Sequence, residues 1–86
     1  MSHQEYHELI EGLDEKLYNA IKGNSKHAEE FFEDDKPWLG KVFLEQAAGN
    51  LLSISTKEIK ISALMEIAYA YNSHRDTAIK AGFNFG

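Results

Sequence analysis

The chain has 86 residues, fourteen Asp and Glu against nine Lys and Arg, a net charge of −5 and no cysteine. That is enough for one domain and one core, and a domain this small buries only roughly 60% of the surface its unfolded chain exposes, so a partner or a second copy is a natural expectation. The missing cysteines exclude disulfide scaffolds, thiolate zinc sites and cysteine nucleophiles and lean the compartment toward cytoplasm, while MSHQEYHELI lacks the basic-then-apolar order of a secretory signal and no apolar run approaches the ~18 residues that cross a bilayer.

Ser2-His3-Gln4-Glu5 fits the S-x-x-E capping box, in which each side chain satisfies the other's free backbone N–H. Tyr6, Leu9, Ile10, Leu13, Leu17, Ala20 and Ile21 then recur at spacings of three and four. This predicts a first helix over 3–22, with Gly23 where a left-handed C-terminal cap belongs. Asn24 or Ser25 caps a second, shorter helix over 26–34, with Ala28, Phe31 and Phe32 on one face and Glu29, Glu30 and Glu33 opposite.

Pro37 pushes Lys36 out of helical geometry and suits the first turn of a third helix over 37–48, stopped by Gly49. Asp34 and Asp35 stand near that helix's N-terminus, where negative charge is favoured by ~0.3–1 kcal/mol each. Leu39, Val42, Phe43 and Ala47 form its buried face, and Trp38 projects from the edge of that stripe.

Leu51–Ser55 alternates enough to suggest a short strand that Ile59–Ile61 could pair with as a β-hairpin within 51–61, but Ser55-Thr56-Lys57-Glu58 is a second capping box and two strands alone are barely stable. A fourth helix over 56–72 is therefore favoured. Ser73 and His74 open a last helix through Lys80, closed by Gly82, with Phe83 and Phe85 in the tail. The expectation is a single all-α domain over 1–86, a small four- to five-helix bundle.

The fourth helix carries two apolar stripes, Ile61, Leu64, Met65 and Ala68 on one side and Ile59, Ala63, Ile67 and Ala70 on the other. A helix apolar on both sides is either central in a bundle or covered by another chain. The alanines of the second stripe permit close approach, which makes Ile59, Ala63, Ile67 and Ala70 candidates for a homodimer seam.

Catalytic constellations are missing from the sequence. There is no G-x-S-x-G, no Gly-rich phosphate loop and no H-E-x-x-H, since HQEYH lacks Glu after its first His. His3 and His7 share a helical face that Glu11 continues, a spacing that can hold Zn, Ni or Cu; solvated histidines are the ordinary reading. His27 and His74 sit near helix starts, where a protonated imidazole is disfavoured. No enzyme activity and no cofactor is expected. Leu64 to Ala81, LMEIAYAYNSHRDTAIKA, resembles half of one tetratricopeptide repeat, yet a second copy is missing. The same segment resembles the opening of a helix-turn-helix without its recognition helix. Both fit any Ala-rich antiparallel helix pair, and no family is assigned.

Residues 1–35 hold ten acids against three lysines, a charge of −7, whereas 36–86 hold four acids against six basic residues, a charge of +2. An acidic first half opposes direct nucleic-acid or anionic-membrane binding, which needs clustered Lys and Arg, and suits a basic protein partner. The expected work is protein–protein association, as a cognate inhibitor or an adaptor, with a homodimeric chaperone or structural subunit as the alternative. The partner-facing candidates are the acids Glu29, Glu30, Glu33, Asp34 and Asp35, the aromatics Trp38, Phe83 and Phe85, and the seam on the fourth helix.

Overall fold

A computed structural model describes residues 2–85. They are all-helical, without a strand, and form four helices: α1 (His3–Glu33), α2 (Pro37–Leu52), α3 (Lys57–Ser73) and the short α4 (Arg75–Lys80).

The expected break at Gly23 does not occur. α1 runs through Gly23, Asn24 and Ser25 because its buried positions, Asp14, Ile21, Ser25, Ala28 and Phe32, keep one helical period across them. A glycine inside a helix costs about 1 kcal/mol relative to alanine; it ends a helix only where the chain turns left-handed. That turn comes at Asp35, with φ 60°. The Asp34 N–H donates to the Glu30 carbonyl and the Lys36 N–H to the Phe31 carbonyl, the six-residue closure of a Schellman motif with Asp where Gly is usual. Asp34 and Asp35 therefore finish α1 and do not cap α2, which has no side-chain cap bond.

α2 turns back along the second half of α1 and continues through Gly49 to Leu52, so Gly49 is not a stop and the suggested hairpin is absent from the described residues. Gly40 sits where the helices come closest: a β-carbon there would meet the Phe32 ring at 2.5–2.8 Å. Ile54 buries itself in the turn, and α3 then runs parallel to α1, from Thr56 beside Asp14 to His74 beside Glu33.

The second capping box also takes a different form. Thr56 is the N-cap of α3 without a cap bond from its own side chain. The carboxylate of Asp14, buried on α1, accepts instead from the Ser55 N–H at 3.1 and 3.2 Å and from the Thr56 N–H at 2.6 Å. The start of α3 is thus pinned to the middle of α1 by a carboxylate meeting free amides at a helix N-terminus.

The core is Ile21, Ala28, Phe32, Leu44, Ala47, Ile54, Ala63, Ile67, Ala70, Ala78 and Phe83. Five of these eleven are alanines, so few large side chains hold the helices together. α1 packs on both α2 and α3, which touch each other less. After α4, Gly82 with φ 98° turns the chain back. Phe83 and Phe85 then pack on Tyr71, with ring centroids 5.8 and 5.1 Å away.

The molecule measures 50 × 21 × 15 Å with a radius of gyration of 14.3 Å, against about 12 Å for a compact chain of this length. The excess is α1. Its 31 residues span about 46 Å at 1.5 Å each, while α2 and α3 have 16 and 17. Residues 3–13 therefore project past the end of α2.

Candidate functional site

The overhang of α1 is the first surface the topology creates. Every side chain over 3–13 is exposed except the half-buried Ile10. Tyr6, Leu9 and Leu13, read in the sequence as core positions, are 55, 48 and 48% exposed, and Leu52 at the end of α2 is 79% exposed. Glu5 and Glu8 lie along one side of this apolar stripe and Glu11 on the face away from it, and residues 2–13 contain no Lys or Arg. On its other side, Tyr6, His7, Ile10 and Glu11 face Ser55–Glu58 across an open groove.

The second surface is the outer face of α3. Of the two stripes, Ala63, Ile67 and Ala70 are 0, 0 and 1% exposed and Ile59 is half-buried against the same core. These four, expected as a seam for another chain, are internal packing, because alanine at 63 and 70 lets α3 approach α1. The opposite stripe is the free one: Ile61, Leu64 and Met65 are 49, 42 and 66% exposed and Ala68 is half-buried, while Tyr69, which was not read as part of that stripe, extends the face at 69% exposure. Tyr18 and Glu66 close the edge between α1 and α3 through a 3.4 Å hydrogen bond from the phenol to the carboxylate.

The third surface lies at the C-terminal end of α1. Glu30 and Glu33 stand 3.8 and 3.6 Å from His27 and His74, Asp34 and Asp35 are exposed, and Glu29 is half-buried. Acids at a helix C-terminus oppose its dipole, and α1 has no basic residue in its last turn. Trp38, expected at the edge of the α2 stripe and facing a partner, is 60% exposed, and Val42, expected on the buried face, is 52% exposed. The tail is corrected outright: Phe83 is buried and Phe85 half-buried on the molecule's own Tyr71, so neither is a free anchor.

At the metal candidate, the ring nitrogens of His3 and His7 lie 3.0 Å apart. Glu11 does not join them, and no three His, Cys, Asp or Glu side chains gather in a metal-holding group among the described residues. Among the described residues the Asp14 carboxyl is held away from its ordinary value. Burial pushes it up, and the hydrogen bonds from the Thr56 hydroxyl and N–H and the Ser55 N–H outweigh that and hold it below the usual carboxylate value. Its oxygens are occupied by α3, which makes it a structural cap and not a reactive acid. No described helix is long and apolar enough to cross a membrane.

The overhang went unrecognised in sequence because its stripe is indistinguishable from a core stripe. The mismatch in length, 31 residues against 16 and 17, emerges only once α1 is seen to continue through Gly23. Comparison with protein-family models, curated proteins and solved structures finds no match to this chain.

Proposed function

We propose that this chain is a protein–protein association module, a small non-catalytic helical bundle that acts as a cognate inhibitor or adaptor of a basic partner. One observation carries the reading. α1 outruns α2 by about eleven residues, or roughly 16 Å of helix, and presents Tyr6, Leu9 and Leu13 to solvent with Glu5 and Glu8 along one side.

The surplus of apolar surface supports it. Eleven large hydrophobic side chains are exposed among the described residues, against six large ones in the core. The accessible surface is 5788 Å², whereas a folded monomer of this mass exposes about 5,200 Å². An apolar helical ridge with one acidic flank fits a groove lined by apolar residues and edged on one side with Lys and Arg, the helix-in-groove mode of recognition. Charge of opposite sign at the rim steers encounter and fixes register.

The test uses the intact chain as bait, with Leu9→Lys and Leu13→Lys variants beside the wild type. Both positions are half-exposed, so the variants keep the wild-type helical signal and melting temperature. One stoichiometric protein retained by wild type, lost from both variants and weakened by salt is the expected result. Equal capture by all three baits would remove the overhang as the site.

A further inference from the structure

We infer that the outer face of α3 is the seam of a two-fold homodimer, built on Ile61, Leu64, Met65 and Tyr69 and formed with the two α3 helices antiparallel. This surface is distinct from the overhang and does not depend on it.

Charge says which occupant each face takes. The overhang holds Glu5, Glu8 and Glu11 without a Lys or Arg, so two overhangs repel and that face calls for a different partner. α3 carries Lys57 and Lys60 against Glu58 and Glu66, a net of zero, and two copies of it meet without a like-charge cost. The four exposed side chains, at 42 to 69% exposure, amount to on the order of 500 Å² of mostly apolar surface per chain. Pairing them removes at most about 1,000 Å² in total, the size of a weak, reversible interface.

The fold chooses the orientation. α1 and α3 run the same way, with the overhang beyond the N-terminal end of α3, where Asp14 holds Ser55 and Thr56. A parallel pair sets the two acidic overhangs side by side. The antiparallel pair sends them to opposite ends of the dimer and also opposes the helix dipoles. In an isologous contact, residue i meets j and j meets i. Met65 is the midpoint between Ile61 and Tyr69, so it meets its own copy, with Ile61 facing Tyr69 across the axis.

Sedimentation over a concentration series tests this, with circular dichroism reporting the fold of each variant. The expected wild-type result is a monomer–dimer equilibrium with a midpoint on the order of 10–100 µM, as a minimal interface gives. Met65→Glu and, independently, Tyr69→Lys should be monomeric across that range with helicity unchanged, while Leu9→Lys should dimerise like wild type. Because the chain has no cysteine, a Met65→Cys variant gives a site-specific check: on mild oxidation it should form a disulfide-linked dimer much faster than a Leu9→Cys variant. Monomer at every concentration up to about 1 mM overturns the proposal. So does a dimer that persists in Met65→Glu and Tyr69→Lys, or one that cross-links through position 9 instead of 65.

Discussion

Asp14 decides more of the architecture than any other single residue, and nothing in its sequence context marks it. It lies on α1 in a polar stretch, yet it is buried and accepts the two backbone N–H groups that open α3. Replacing it with Ala orphans both donors, and we expect a loss of about 2–3 kcal/mol in urea unfolding at pH 7, an N-cap and a buried hydrogen bond together. The pH dependence follows from the depressed carboxyl. The folded form binds the proton less readily than the unfolded chain, so the stabilisation is complete above the ordinary Asp value and fades as pH falls through the lower, folded value. The stability difference between wild type and Asp14→Asn should therefore narrow below pH ~4; a difference constant down to pH 2 would contradict it. Two glycines make a matched pair. Gly23→Ala has open space and should stabilise by about 0.5–1 kcal/mol, whereas Gly40→Ala drives a methyl into Phe32 and should cost about 1–3 kcal/mol. Trp38→Ala, at an exposed site, should change stability by less than about 0.5 kcal/mol; a melting point lowered by several degrees would mean that the indole packs in solution.

At the scale of elements, periodicity was legible and punctuation misled. The Gly23-Asn24-Ser25 run has the composition of a stop, but Ile21, Ser25 and Ala28 stay on one buried line, and the burial they gain outweighs a propensity cost of about 1 kcal/mol at the glycine and less at each neighbour. The acids before Pro37 suggested a helix start, and the backbone uses Asp35 for the left-handed residue that ends α1. The two stripes of α3 were both visible, and sequence could not say which faced inward. The two parts of α1 should also differ in dynamics. Amides over residues 3–13, covered only along one edge by Ser55–Glu58, should exchange by local fraying much faster than those over 14–33, where opening requires separating the helices. Hydrogen exchange with mass spectrometry would show it, and equal protection along α1 would mean that the overhang is already covered in solution.

For the molecule as a whole, the balance of core and surface is the governing fact. Six large side chains and five alanines hold the interior, while an elongated shape leaves apolar stripes uncovered on α1 and α3. The acidic and neutral stripes divide the work, one toward a basic partner and one toward a second copy. Partner affinity through the overhang should fall several-fold between 50 and 500 mM salt, because exposed charges are screened beyond ~10 Å at 0.1 M, whereas dimerisation through uncharged side chains on α3 should change little. Titration of each equilibrium at the two salt concentrations would test the division, and equal responses would refute it.

The sequence by itself determined the all-helical character, the turn at Pro37, the close at Gly82 and the acidic first half, because periodicity, proline, a glycine at positive φ and charge are local properties. Tertiary structure alone decided that two expected helices are one, that Asp14 caps α3 from a distance, that Phe83 turns inward and that Ile61, Leu64, Met65 and Tyr69 face out while Ala63, Ile67 and Ala70 do not. Each of these depends on which helix covers which face and for how many residues, a relation between segments far apart in the chain that no local pattern contains.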